Sequence, residues 1–157
     1  MQKVVITGHD LTVDQIIAVC REGAEVVLSD ESREKILASR QVVNELVEER
    51  KVVYGITTGF GKFSDVVISQ DECKLLQKNL IITHAVGAGD PFKEDIARGI
   101  LLLRVNSLSN GFSGICLETV ETMIAMLNKG VTPFIPEKGS LGASGDLAPL
   151  SHMVLPM

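Results

Sequence analysis

Signals that begin and end helices divide most of this chain into segments of helical length. Thr12 and Gln15 have the spacing of a capping box, and Gly23 is the residue type that commonly ends a helix. Ser29 precedes a stretch in which aliphatic residues recur at helical spacing, which predicts a long helix over residues 30–50. These segments predict a chain built mainly from α-helices.

The sequence after residue 68 predicts three more helices. A capping box that begins at Ser69 opens a helix that ends near His84. The next helix is strongly apolar and is closed by Gly111. Ser113 is predicted to cap the third helix, which Gly130 closes.

Short extended segments accompany the helices. Residues 3–6, KVVI, have the pattern of a strand, and residues 25–28, EVVL, are a second short apolar run. The expected fold class is mainly α with short N-terminal strands (α+β), in a single domain over residues 1–157. A last helix is predicted to open after Asp146, with Pro149 in its first turn. Because the sequence ends soon afterwards, we expect the chain to be truncated at the start of this helix.

The composition argues against several classes of protein. Hydrophobic residues make up 45% of the chain and charged residues 22%, as in globular proteins, and an aromatic content of 4% predicts an aliphatic core. A net charge of −5 without a cluster of Lys and Arg argues against nucleic acid or an anionic membrane as a partner. Cys20, Cys73 and Cys116 lie far apart, so neither a disulfide framework nor a metal site is expected. The sequence shows no secretion signal or membrane span, which predicts a cytoplasmic protein.

Three segments are unusually rich in glycine and other small residues. They are YGITTGFG at 54–61 (the tyrosine loop), HAVGAG at 84–89 (the histidine segment) and GSLGASGD at 139–146 (the tripeptide loop). Each of them alone is typical of a tight turn between helices.

Two well-known glycine-rich sites do not fit the tripeptide loop. A phosphate-binding P-loop needs a Lys directly after its last glycine, and none follows here. A serine nucleophile elbow needs a glycine two residues after the serine, but Asp146 stands at that position. The loop is therefore neither a typical phosphate site nor a typical nucleophile elbow.

The tripeptide Ala143-Ser144-Gly145 has the composition that a backbone cyclisation requires. The amide nitrogen of Gly145 can attack the carbonyl carbon of Ala143, which closes a five-membered ring through Ser144. Loss of two waters, one from the ring and one from the serine side chain, leaves 4-methylidene-imidazol-5-one, which is a strong electrophile. Glycine permits the strained bend, and Asp146 can act as a base during closure. Such a group has a chemical use because no natural side chain is an electrophile of this kind.

These segments resemble parts of the aromatic amino acid ammonia-lyase and aminomutase family. GSLGASGDLAPLSHM is similar to the family's cofactor-forming signature, and YGITTGFG is similar to its catalytic tyrosine loop. NLIITHAVGAG is similar to the end of the family's substrate-pocket helix, and RVNSLSNGFSGI to a further family segment. All four occur in the family's order and together span nearly the whole chain.

The resemblance implies catalytic roles for the matching residues. Ala143, Ser144 and Gly145 would form the 4-methylidene-imidazol-5-one cofactor, which captures the substrate amine, and no metal is implied. Tyr54 would be the general base that removes a β-proton from the substrate.

The resemblance also implies a substrate. Thr83-His84 is similar to the Ser-His pair of the histidine enzymes, whereas the tyrosine and phenylalanine enzymes tend to have leucine where His84 stands. His84 would therefore contact the imidazole of L-histidine, and Gly61 would bring the backbone close to this small molecule. The implied reaction releases ammonia and leaves trans-urocanate.

Members of the family are considerably longer than this chain. Their long central helical bundle assembles into a homotetramer, and each active site combines residues from three subunits. We expect the 157-residue chain by itself to be catalytically incomplete and its Ala-Ser-Gly to remain uncyclised. Two alternatives stay open: another aromatic amino acid lyase or aminomutase, and a non-catalytic assembly module that uses exposed apolar helix faces.

Overall fold

Helices form most of the structure, with short strands at two places. The computed structural model describes residues 2–59, 68, 70–141 and 145–157. Within them lie β1 (Lys3–Ile6), α1 (Val13–Arg21), β2 (Glu25–Leu28), α2 (Asp30–Glu48), α3 (Gln70–His84), β3 (Ala88–Pro91), α4 (Glu94–Leu108), α5 (Leu117–Lys129), β4 (Pro136–Lys138) and α6 (Leu147–Val154). The predicted fold class, mainly α with short N-terminal strands, is confirmed.

Local capping interactions set the first two helix starts. The backbone N–H of Thr12 donates to Oε1 of Gln15 at 2.9 Å, and the N–H of Gln15 donates to Oγ1 of Thr12 at 3.3 Å. Ser29 accepts a hydrogen bond from the N–H of Ser32 at 3.1 Å. Both predicted caps are therefore confirmed. Each cap is formed by two residues within one helical turn, so their spacing in the sequence is enough to predict it.

The predicted cap at Ser113 is wrong. Helix α5 begins at Leu117 with Cys116 at the N-cap position, and no side chain caps it. The backbone beside Ser113 is bound to α2 instead, since the N–H of Gly114 donates to Oγ of Ser39 at 2.9 Å. The predicted cap at Ser69 lies outside the described residues.

The first two strands and α1 form a parallel β-α-β unit. Strands β1 and β2 pair in parallel, with Val4 opposite Val26 and Ile6 opposite Leu28, and these four side chains are buried. Asn128, near the end of α5, accepts a hydrogen bond from the N–H of Val26 at 2.8 Å and donates one to its carbonyl at 2.9 Å. The side chain of Asn128 thereby occupies part of the sheet edge and fastens α5 to β2.

The core is aliphatic, as the composition predicted. It is centred on α4 and α5, whose inward side chains have no more than 9% of their surface exposed; among them are Leu101, Leu102, Val105, Val120, Met123 and Leu127. Arg98 is buried beside them, and its Nη2 donates to the carbonyls of Val19 and Leu127 at 3.0 and 3.2 Å. This guanidinium joins α1, α4 and α5 and satisfies carbonyls near two helix ends.

No helix in the described part of the chain is both long and apolar enough to cross a bilayer.

A second small sheet was not predicted from the sequence. Strands β3 and β4 are antiparallel, with Ala88 opposite Lys138 and Pro91 opposite Pro136. The N–H of Phe92 donates to the carbonyl of Ile135 at 2.9 Å, which continues the pairing towards the core. The sequence AGDP has low strand propensity, so this pairing depends on tertiary packing. It brings the end of the histidine segment beside the start of the tripeptide loop.

The aliphatic core predicts a large difference between two leucines of α4. Leu101→Ala is expected to lower the free energy of unfolding by about 2–5 kcal/mol, because the side chain is fully buried and truncation leaves a cavity. Leu103→Ala is the matched control, since Leu103 is 50% exposed, and its cost is expected to stay below about 1 kcal/mol. Urea unfolding followed by circular dichroism measures both values. Equal losses for the two variants would contradict the packing described.

Candidate active site

His84 lies at the C-terminal end of α3 and is partly buried. Its Nδ1 is 2.8 Å from the carbonyl oxygen of Leu80 and 3.3 Å from Oγ1 of Thr83. Because a carbonyl only accepts, Nδ1 carries a proton and donates to Leu80. In the neutral imidazole, Nε2 is then a hydrogen-bond acceptor. The helix end thus fixes both the ring orientation and the tautomer of His84.

The histidine segment packs tightly against the residues that flank the tripeptide loop. The N–H of Gly87 donates to Nε2 of His152 on α6 at 2.9 Å. A Cβ atom added to Gly87 would lie 2.9 Å from Cγ of Pro136 and 3.0 Å from Nε2 of His152. A Cβ added to Gly139 would lie 3.0 Å from Cα of Gly87. Both positions therefore need glycine, Gly87 because two side chains lie against its α-carbon and Gly139 because the backbone of Gly87 does.

Gly145 needs glycine for a different reason. Its φ is +76°, in the left-handed region, and among the described residues no atom beyond its chain neighbours lies within 4 Å of a Cβ built on it. The constraint is therefore conformational, since side-chain-bearing residues rarely adopt such a φ. The other two residues of the predicted cyclising tripeptide, Ala143 and Ser144, lie outside the described residues, and so does Gly61.

Asp146 joins the two ends of the tripeptide loop. It stands at the N-cap position of α6, but its side chain makes no capping hydrogen bond there. Its Oδ1 instead accepts a hydrogen bond from the hydroxyl of Ser140 at 2.5 Å. This bond ties Asp146 to a residue on the other side of the tripeptide. A carboxylate held at this point can accept a proton from neighbouring backbone groups.

Tyr54 lies in a turn and has 61% of its surface exposed. Two buried threonines shape this turn. Oγ1 of Thr57 accepts from the N–H of Val53 at 2.9 Å, and Oγ1 of Thr58 accepts from the N–H of Gly55 at 3.3 Å. These hydrogen bonds set the backbone on either side of Tyr54.

A surface hollow places the tyrosine loop beside the segment that follows α4. Its walls come from α2, from Ile56 of the tyrosine loop and from residues 110–114. Val42, Val43 and Leu46 supply most of the apolar side chains of α2. The hollow therefore brings together two of the segments that sequence analysis singled out, YGITTGFG and RVNSLSNGFSGI.

The described contacts thus join the four segments in two pairs. The histidine segment packs against the tripeptide loop, and the tyrosine loop lies beside residues 110–114. His152 is a site residue for which the sequence predicted no role. The signal that could have found it is its position within GSLGASGDLAPLSHM, on the helix that follows the tripeptide. Among the described residues, no cluster of three or more His, Cys, Asp or Glu side chains is arranged to hold a metal ion.

Comparison with known proteins identifies the family. A sequence profile of the family described as aromatic amino acid lyase matches residues 11–157. The chain belongs to the aromatic amino acid lyase family. This result confirms the resemblance that the four segments indicated.

Individual members of the lyase family match the chain along almost its full length. It is 61% identical over 157 residues to histidine ammonia-lyase from Caldanaerobacter subterraneus subsp. tengcongensis and 63% identical over 155 residues to that from Alkaliphilus oremlandii. These matches cover 100% and 99% of this chain but 31% of each relative. The crystal structure of histidine ammonia-lyase from Trypanosoma cruzi superposes with a TM-score of 0.89 at 43% identity, over 97% of this chain and 29% of that one. The chain therefore spans less than a third of the relatives that it matches.

Two glycines with the same backbone conformation allow a test of the strain at Gly145. Gly145→Ala is expected to lower the free energy of unfolding by about 1–2 kcal/mol, because alanine must adopt the left-handed φ of +76°. Gly23→Ala is the matched control, with a φ of +73° and equally open surroundings. Urea unfolding measures both variants. If Gly145→Ala costs nothing while Gly23→Ala costs the expected amount, the conformation described for Gly145 is contradicted.

Proposed function

We propose that this chain carries the cofactor-forming and imidazole-binding parts of a histidine ammonia-lyase. The reaction is the non-oxidative elimination of ammonia from L-histidine to trans-urocanate. The observation that carries the proposal is the close packing of Gly87 against Gly139, which holds the histidine segment beside the tripeptide loop. The high identity to two histidine ammonia-lyases supports histidine as the substrate.

In this proposal Ala143, Ser144 and Gly145 become 4-methylidene-imidazol-5-one. That group supplies an electrophile for the amino group of the substrate. Two described residues fit its formation. Gly145 already has a φ that only glycine adopts readily, and no atom of the described residues beyond its chain neighbours lies within 4 Å of a Cβ built on it. The carboxylate of Asp146, held by Ser140, is the base that takes a proton during ring closure.

Other residues bind and deprotonate the substrate. Tyr54, a residue with 61% of its surface exposed, is the general base that removes the β-proton. Nε2 of His84 is an acceptor for an N–H of the substrate imidazole, since Nδ1 already donates to Leu80. Gly61 brings the backbone close to the substrate.

The proposed enzyme needs more residues than this chain provides. The chain spans 31% of the histidine ammonia-lyases that it matches, so most of their length has no counterpart here. We propose that the active enzyme is a homotetramer in the cytoplasm, whose sites combine these segments with residues outside the 157. The chain alone is expected to be inactive and to keep an uncyclised Ala-Ser-Gly.

A chimaeric enzyme tests the proposed function. Residues 1–157 replace the matching 31% of the Caldanaerobacter histidine ammonia-lyase, and urocanate formation is followed by its ultraviolet absorbance. The chimaera is expected to convert histidine, while Ser144→Ala abolishes activity because the electrophile cannot form. Tyr54→Phe is the matched comparison, with a rate about 10²–10⁴-fold lower because only proton removal is impaired. Full activity of the Ser144→Ala chimaera would refute the proposal.

The role of His84 in specificity is tested in the same chimaera. His84→Leu is expected to raise KM for histidine by about tenfold, since loss of one hydrogen bond to a polar ring costs about 1.4 kcal/mol or more. The same change is expected to lower KM for phenylalanine, because an apolar side chain then faces an apolar ring. Unchanged KM values for both substrates would show that His84 does not contact the side chain of the substrate.

Product analysis of the same chimaera separates the lyase from an aminomutase, because an aminomutase would yield a β-amino acid.

A further inference from the structure

We propose that His152 is a positioning residue, which holds the histidine segment at a fixed distance from the tripeptide loop. The proposal concerns the same site and rests on the proposed function of His84. His152 lies on α6, is partly buried, and its Nε2 accepts the N–H of Gly87 at 2.9 Å. Because a backbone amide only donates, Nε2 bears no proton and the neutral ring carries its proton on Nδ1.

Gly87 has little freedom at this contact. Pro136 and His152 both come so close to Gly87 that even a methyl group would lie within 3.0 Å of each. Gly139 approaches the backbone of Gly87 from the tripeptide loop. The hydrogen bond to His152 therefore keeps Gly87 from moving away from α6, and the close contacts with Pro136 and Gly139 keep it from moving nearer.

Only Ala85 and Val86 separate Gly87 from His84, and hydrogen bonds hold both of these residues to the end of α3. The N–H of Val86 donates to the carbonyl of His84 at 2.9 Å, and the N–H of Ala85 donates to the carbonyl of Ile81 at 3.1 Å. A shift of Gly87 thus pulls on the last turn of α3, where the ring of His84 is held by Leu80. His152 acts on His84 through this stretch of backbone.

The same helix is tied to the other half of the site. Helix α6 starts directly after Asp146, whose carbonyl accepts from the N–H of Leu150 at 3.0 Å and whose carboxylate is bound by Ser140. Helix α6 therefore carries both contacts. Asp146 at its N-cap binds Ser140 of the tripeptide loop, and His152 binds Gly87 of the histidine segment. His152 determines how far the imidazole-binding residue stands from the electrophile-forming loop.

Nuclear magnetic resonance on the 157-residue chain tests the proposal. Long-range proton–nitrogen spectra of the unsubstituted chain are expected to show His152 with its proton on Nδ1. In His152→Leu, the amide of Gly87 is expected to exchange with solvent roughly two- to tenfold faster, as the loss of one hydrogen bond allows, and the ring signals of His84 shift. In His152→Gln, the side-chain carbonyl accepts the same N–H, so both readouts return towards the original values. His9→Leu is the matched control, since His9 is an exposed histidine beside Asp10, and it changes neither readout.

Three results would overturn the proposal. One is a proton on Nε2 of His152 in the unsubstituted chain, a measurement that needs no variant and so does not depend on whether His152→Leu folds. Another is a His152→Leu chain in which Gly87 exchange and the His84 signals are unchanged. The third is a His152→Gln chain that behaves like His152→Leu. None of these readouts involves ammonia release, so an inactive chimaera with the His152 contact intact would refute the proposed function and leave this inference standing.

Discussion

The contact of Gly87 with Gly139 and His152 is the interaction on which the candidate site depends. It joins two segments that lie about fifty residues apart in the sequence and that have no strong strand or helix propensity of their own. Two bare α-carbons let the backbones approach, and one amide–imidazole hydrogen bond fixes their relative position. A side chain at Gly139 would meet the backbone of Gly87, and a side chain at Gly87 would meet Pro136 and His152. The site therefore depends on two glycines at particular positions and on the imidazole of His152.

The aliphatic core gives this contact a rigid support. Helices α4 and α5 bury leucine, valine and methionine side chains. Strand β3 leads into α4, and β4 follows α5 along the chain. Ile135, which is fully buried, accepts the N–H of Phe92, so the second sheet grows directly out of the core. A close-packed interior has low compressibility, so the core is a firm support for the histidine segment and the tripeptide loop.

The sequence predicted those parts of the fold that depend on neighbouring residues. The caps at Thr12 and Ser29 and the left-handed glycine at position 130 act within a single turn, so their patterns can be recognised without a structure. The start of α5 could not be recognised, because Gly114 is bound by Ser39 from a distant helix. The pairing of β3 with β4 was missed for the same reason. For the site, the motifs identified the segments and the glycines, but the two pairs that they form and the role of His152 depend on contacts across the fold.

The most direct test of the account concerns the tripeptide itself. Peptide mass spectrometry of the chimaeric enzyme measures the mass of the fragment that contains Ala143, Ser144 and Gly145. The account predicts that this fragment is lighter by two water molecules and that the loss maps to these three residues. The same fragment from an active chimaera with its full, unmodified mass would contradict the claim that the loop is the precursor of the electrophile.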